Sequence, residues 1–409
     1  MDAARADILA ARHRLTTQGW IAPRSEAFRH LEPPPVEAWL GDIEAAPAAC
    51  EAPPLAGAGW TLHPVGSRPG GSVEARWLDA FDAHQRAELF AGLPAPGDGD
   101  AAPFAWAHRA LCRQGLRLRV GSGSGVGTAW LQLRRKPQTS VEAPLLVVDL
   151  ADGAHCVLFE VHERDASGCS HAITQNLQAH LRLGRGATLV HLRLAMPGVA
   201  DQWAHFVDAR LGPGARYEQV LVGAGSGYHL QQVGLELHAA QATARLGSVL
   251  FAPGASLALR VQASHRAEHT TSVVDALALA GGAARAVVNA QARIAPGAAQ
   301  ADVRQRLTGI PTGGQPRIVL RPQLEIHHDQ VQAAHGATWG AVPEDALFYA
   351  RQRGLDETQA RALVIGGLAQ AVVDRALGDA EMATASGIDA WIAQGVRGTW
   401  PENEGDDDG

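Results

Sequence analysis

The sequence predicts a mainly β protein: a right-handed parallel β-helix core flanked by N-terminal and C-terminal helical regions. Three observations carry that expectation. Short apolar runs with strand texture begin near residue 111, a glycine-centred punctuation recurs between them, and helical periodicity is confined to the two ends of the chain. The runs Leu116 to Val120, Ala129 to Leu133, Leu145 to Leu150 and Val157 to Val161 are too short for buried helices and are joined by glycine turns. Between such runs stand Leu150-Ala-Asp-Gly-Ala154, Leu183-Gly-Arg-Gly-Ala187, Leu211-Gly-Pro-Gly-Ala215, Phe251-Ala-Pro-Gly-Ala255, Leu279-Ala-Gly-Gly-Ala283 and Ile294-Ala-Pro-Gly-Ala298. Each ends one strand and starts the next, with a glycine free to take positive φ. Their glycines are 33, 28, 40, 28 and 15 residues apart, which suits rungs of a β-helix with unequal loops better than a strict repeat. Strands of this kind cannot bury their faces alone and must stack on the next rung at about 4.8 Å. An antiparallel sandwich or barrel is the competing architecture. Aromatic residues are only 5% of a chain that is 46% hydrophobic, so the interior rests on Ala, Val and Leu, as a narrow stacked sheet requires.

Three regions follow along the 409 residues. Residues 1–110 form a helical lead: an amphipathic opening from Asp2 to Gln18, proline clusters at Pro33 to Pro35 and at Pro53 and Pro54, and a second helical patch from Leu78 to Leu93. Residues 111–342 form the β-helix core. Residues 343–409 form a helical hairpin with a disordered acidic tail at Asp406 to Asp408. Pro343 suits the first helical turn, Gly354 the C-terminal cap, and Asp356 with Gln359 a capping box that starts a second helix. Leu363, Val364, Gly367, Leu368, Ala371 and Val372 mark its apolar face. The helical ends are expected to cap the exposed strand edges of the core.

Composition excludes several classes of function. The net charge is −7, and of 35 basic side chains only Lys136 is a lysine, with no basic block, so nucleic-acid binding is not expected. The longest apolar run near the C-terminus, Ala362 to Val373, is about half a bilayer span, and the first residues lack the apolar stretch of an export signal. A cytoplasmic protein without membrane contact is the expectation. Cys50, Cys112, Cys156 and Cys169 form no CxxC pair and read as buried free thiols.

Little in the chain points to catalysis by itself. Of 18 histidines, the metal candidates are His265 with His269 and the set His327, His328 and His335. In a strand, positions four apart share a face but lie about 13 Å apart, and neighbours point to opposite faces, so neither group forms a ready chelate. Gly121 to Gly127 lacks the Lys-Ser/Thr ending of a phosphate loop and reads as a flexible turn. No GxSxG elbow and no carboxylate pair stands out.

Chemistry concentrates instead at 321–350, where a strand-like run meets His335 beside a glycine turn. His269-Thr-Thr-Ser272, Pro322-Gln-Leu-Glu-Ile326, His335-Gly-Ala-Thr338, Gly340, Phe348-Tyr349 and Arg353-Gly354 together resemble the SufD family, a subunit of the SufBCD iron–sulfur cluster assembly complex. The likeness is best from Glu268 to Leu377, and the layout of helical start, β-rich middle and helical end agrees throughout. It implies a non-catalytic scaffold subunit that pairs with a SufB-like subunit and seats a SufC-like ATPase on its C-terminal helices, with Phe348, Tyr349 and Arg353 as the docking residues. It implies that His335, with Gly336 and Gly340 as the interface turn, faces a SufB cysteine where a nascent cluster forms, binding iron transiently and shared with the partner. No cofactor is then expected to be held stably by this chain alone; the resemblance allows a reduced flavin in the complex and a homodimer of the isolated chain. Relatives often carry a cysteine two residues before this histidine, where Ala333 stands here, so the sulfur is expected from the partner, and the chain resembles SufD more than SufB. Two rivals remain: a β-helix polysaccharide-active enzyme, which needs acidic or arginine-rich residues lining an outer groove that no cluster in the sequence supplies, and a histidine-dependent metal enzyme.

Overall fold

The computed structural model describes residues 3–22, 25–41, 56–57, 59–65, 72–122, 127–137, 139–164, 172–378 and 387–399. Cys50, Cys169, Pro53, Pro54, the centre of the Gly121 to Gly127 loop and the Asp406 to Asp408 tail lie outside these residues.

The strands, in chain order, begin with β1 (Ala56–Gly57), β2 (Trp60–Pro64), β3 (Ser72–Asp79), β4 (Gln114–Gly121), β5 (Ala129–Arg135), β6 (Val141–Glu142) and β7 (Leu145–Leu150). They continue as β8 (His155–Glu163), β9 (Thr174–Leu183), β10 (Thr188–Met196), β11 (Gln202–Leu211), β12 (Arg216–Ala224), β13 (Tyr228–Leu237) and β14 (Thr243–Pro253). The last are β15 (Ser256–His265), β16 (Thr271–Gly282), β17 (Arg285–Ile294), β18 (Asp302–Gly314), β19 (Arg317–Ile326) and β20 (Gln332–Trp339). From β8 onward, even-numbered strands join one sheet and odd-numbered strands the other, each pairing in parallel with the strand two ahead. Stacked partners are 26 residues apart at Gln202 and Tyr228 and 33 apart at His155 and Thr188. This is the β-helix the sequence predicts, built of two sheets, with a core of Leu, Val and Ala from the inward rows of the stacked rungs up to β18.

Corners between the sheets explain the punctuation. Gly153, Gly186, Gly214, Gly254, Gly282 and Gly297 all have positive φ, from 61° at Gly282 to 84° at Gly297. At one corner the peptide N–H of this residue donates to the next rung: Gly153 to Arg185, Gly186 to Pro213 and Gly214 to Ala240. The same ladder then continues through Gln241 to Glu268, His269 to Ala299 and Gln300 to Gln330. These three are the non-glycine residues with positive φ among the described residues. Pattern-reading for glycine finds only half of this corner, because the position is fixed by the hydrogen bond of the rung rather than by residue type.

The flanking regions differ from expectation. The lead contributes α1 (Ala3–Gln18), α2 (Glu37–Leu40), α3 (Ala83–Leu89) and α4 (Ala102–Leu111), but also β1 to β3. β2 pairs antiparallel with β5 and β3 with β4, so the start of the solenoid is closed by strands, and the helix expected over Leu78 to Leu93 is only α3. Trp60, 1% exposed, and Trp77 lie 6.4 Å apart across the bottom of the interior. The helices do not cap edges; they lie on faces. Phe28, Trp39 and Phe104 pack on Phe206, Tyr228 and Leu230 of the odd-numbered sheet. On the even-numbered sheet lie α5 (Glu344–Arg351), α6 (Glu357–Ala376) and α7 (Ile388–Thr399), through Ile365, Ala369, Val372, Ile388 and Ile392 against Val220, Val249 and Phe251.

The capping box at Asp356 forms, with Gln359 N–H donating to Oδ1 at 2.7 Å. Gly354 has φ of 88° as a cap should. The buried stripe of α6, however, is Ala360, Ile365, Ala369, Val372, Val373 and Ala376, and of the six positions predicted only Val372 is buried. The helix is apolar nearly all round, so periodicity did not single out the stripe the sheet selects. α7 was not expected at all.

Candidate interface site at the uncovered end of the solenoid

Among the described residues no strand continues the last rung: β20 pairs with β18 and β19 with β17, each at the edge of its sheet, and all eight residues of β20 are exposed. An inward row of the even-numbered sheet runs Val274, Gln305, His335. Val274 and Gln305 are buried in the interior, whereas His335, one rung further on, is exposed at its mouth. His335 therefore sits on the interior-facing row of an open rung rather than on an outer face. Beneath it, Gln305 keeps its Oε1 buried without a partner. Around the mouth, Ile318, Leu320, Leu324 and Val331 are only partly buried against the core, and Ile326 is 43% exposed. Open strand edges and an exposed core section are features that strand addition by another chain can use.

The strand does not end at His335. It runs to Trp339, so Gly336 lies within β20 and only Gly340 stands at its exit; the expected interface turn is corrected to a strand. A Cβ at Gly336 or Gly340 would meet nothing within 4 Å, so neither glycine is needed for packing inside this chain. Trp339, 69% exposed, was missed by sequence reading, although a tryptophan at a strand end beside glycine is a signal for an exposed anchor. Phe348 and Tyr349 on α5 are 66% and 60% exposed, and Leu363 on α6 is 61% exposed. Arg353 is held back on this surface: its guanidinium lies 3.3 Å from the Tyr349 ring centre, and its Nη1 donates to the Tyr349 carbonyl.

The other histidine candidates do not converge. His265 is fully buried, its ring nitrogens bonded to the Thr270 and Ser272 hydroxyls at 2.8 Å each, and burial pushes it down to about 4. His269 is exposed in the corner turn after β15, so the strand context expected for it ends at His265. His327 pairs with Glu325 at 2.7 Å, and His328 accepts from the Gln330 N–H.

A polar cluster that the sequence did not reveal lies inside the solenoid, on the inward rows of β8, β10, β11 and β13. Glu160 Oε1 is 2.6 Å from His162 Nε2 and 3.5 Å from His205 Nε2; its Oε2 meets His191 Nε2 at 2.8 Å and Arg193 Nε at 3.3 Å. Arg193 Nη2 donates to His205 Nδ1 at 2.6 Å and to Gln231 Oε1 at 2.8 Å. Burial opposes the charge on Glu160, but His205, His162 and His191 around it hold the carboxyl well below its ordinary range. Burial keeps His162 and His191 below their usual value and His205 well below, hence neutral. The donor atoms of Glu160, His162 and His205 all lie within 4.8 Å of one another, which is compact enough for a divalent ion. Because Arg193 donates to His205 Nδ1, the His205 imidazole proton sits on Nε2 and faces the carboxylate, so that nitrogen offers no lone pair to a metal. His162 Nδ1 and Arg193 Nη1 are buried with no hydrogen-bond partner, so the Glu160–Arg193 ion pair is enclosed without being fully satisfied.

Among the described residues no helix is long and apolar enough to cross a membrane. A family model described as the SUF system FeS cluster assembly, SufBD core domain matches residues 133–368. The iron–sulfur cluster assembly protein SufD of Escherichia coli (strain K12) is 33% identical over 81 residues, 20% of this chain and 19% of that protein. An iron–sulfur cluster assembly SufBD family protein of Synechocystis sp. is 25% identical over 256 residues, 58% of this chain and 54% of that protein. One of Mycobacterium leprae is 23% identical over 251 residues, covering 60% and 28%. The matched region thus spans between 19% and 54% of these relatives' own lengths.

Proposed function

This chain belongs to the SufBD family of iron–sulfur cluster assembly proteins, and from that premise we propose that it is a non-catalytic scaffold subunit whose uncovered solenoid end pairs with a SufB-like chain. One observation carries the proposal: the two sheets end together in unpaired edges, β19 and β20, around an exposed inward-facing imidazole at His335. A partner that continues both sheets would satisfy the edge N–H and C=O groups, cover Trp339 and Ile326, and enclose His335 between two interiors. A neutral imidazole is a competent ligand for the iron of a nascent cluster, which is cargo here. We assign the thiolate to the partner: Ala333 and Ala334 precede His335, and among the described residues burial pushes both cysteines, Cys112 and Cys156, up to about 12, leaving neither sulfur ionised. Phe348, Tyr349 and Leu363 form the exposed apolar surface on α5 and α6 that seats a SufC-like ATPase, which performs the hydrolysis.

Co-expression with SufB-like and SufC-like chains tests this. The three should elute together, and His335→Ala should leave the complex intact while cluster assembly, followed by absorbance on supply of iron and sulfide, falls at least tenfold. Equal assembly by the variant overturns the role of His335; failure of the chains to associate overturns the pairing. The absorbance of the purified complex also reports whether it takes a reduced flavin.

A further inference from the structure

The outer face of the odd-numbered sheet carries a second constructed surface, distant in the fold from the open end. Register aligns Gln178 of β9, Phe206 of β11, Gln232 of β13 and Arg260 of β15 in one row along the solenoid axis. The segment from Phe90 to Ala105 roofs this row and encloses a groove of about 740 Å³, within the size range of small-molecule sites. Gln178 is 6% exposed and Arg260 7%. Gln178 Nε2, Gln232 Oε1, Arg260 Nε and Arg260 Nη1 are buried with no hydrogen-bond partner. Arg260 rests on the Phe28 ring at 4.7 Å, and Asp100, which also lines the groove, is not bonded to it. One isolated orphan atom is ordinary. Three polar members of one row that line the same half-open groove, each with an unmet polar atom in its wall, are not, because each loses its water without compensation.

We propose that this groove binds a small organic oxyanion whose charged head is held by Arg260 and whose hydroxyl-bearing body lies along Gln232 and Gln178. The unmet groups fix that chemistry. Arg260 offers only donors and so calls for a charged acceptor, a phosphate ester or a carboxylate. Gln232 Oε1 needs a donor and Gln178 Nε2 an acceptor, roles a hydroxyl fills at either position. Asp208 and Glu236 line the same groove and disfavour a second negative charge on the body of the ligand. The row from Gln178 to Arg260 covers three rung steps, roughly 14 Å at about 4.8 Å per step, so a hexose-sized ligand bridges it only with the Arg260 and Gln178 side chains reaching toward each other along the groove.

Calorimetric titration of the full chain with inorganic phosphate, glucose 6-phosphate and gluconate tests this, with circular dichroism to verify folding. The expected result is that at least one of the two hydroxyl-bearing anions binds more tightly than inorganic phosphate, and that Arg260→Gln weakens it at least tenfold. Binding of glucose 6-phosphate alone identifies a phosphate head, of gluconate alone a carboxylate head. Gln178→Leu, which keeps Arg260, should weaken the same ligand and decides the matter if Arg260→Gln does not fold. Absence of binding by both hydroxyl-bearing anions, or unchanged affinity in a folded variant, overturns the proposal.

Discussion

Arg193 is the side chain on which the interior polar cluster depends, since it touches Glu160, His205 and Gln231 and is itself 1% exposed. Removing one partner of a buried pair leaves the other charge unmet, so Arg193→Met should cost about 3–5 kcal/mol in urea denaturation. A loss below about 1 kcal/mol would show that Glu160 is not held as an ion. His335 presents the opposite case: exposed and without a hydrogen bond to any described residue, it can be truncated with a stability change of about 0.5 kcal/mol or less, which keeps its functional test clean. The two also differ in how they could be read. His335 lies in a contiguous motif, whereas Glu160, His162, His191, Arg193 and His205 come from three strands and meet only once the register of the rungs is known. The same reason hid Arg260, Gln232 and Gln178: the outer groove that the sequence did not disclose is assembled from residues 28 apart (260 − 232) and 54 apart (232 − 178).

Among the elements, corners and strands were legible where residue type itself reports geometry. At Gly214 φ is 63° and a Cβ would meet nothing within 4 Å, so any cost of Gly214→Ala is conformational. That substitution should lower stability by about 1–2 kcal/mol, whereas Gly336→Ala, in open space on an extended strand, should lie within about 0.5 kcal/mol of the parent. Equal effects of the two in thermal or chemical denaturation would refute the corner assignment. Gln241, His269 and Gln300 hold the same corner without glycine, so composition could not disclose them. The strands β2 and β3 were hidden for a different reason: they pair antiparallel with the first rungs across long sequence separations, inside a stretch dominated by proline and glycine. In α6 the alanines and valines form two apolar stripes, and only the sheet decides which is buried.

For the molecule as a whole, buried neutral histidines set the acid limit. His108 is pushed down by burial to about 3, and His180, His229 and His265 to about 4, from an ordinary 6.5. Above about pH 6.5 neither folded nor unfolded chain protonates them, and their stabilising contribution is complete. As pH falls from 6.5 toward 4 the unfolded chain takes up protons that the folded chain refuses, so each group removes up to about 1.4 kcal/mol per pH unit. Scanning fluorimetry should show a melting temperature that declines steadily over that window; a flat profile from pH 7 to 4.5 would contradict the burial of these rings. Glu160, held low, adds its own loss only below about 4.5. The two ends of the solenoid, finally, are unlike: tryptophans and reversed strands block one, and the other stops in mid-pattern. If the open end joins a second solenoid as proposed, that one event uses it up, and the reversed strands at the other end disfavour further growth into a fibre along the axis.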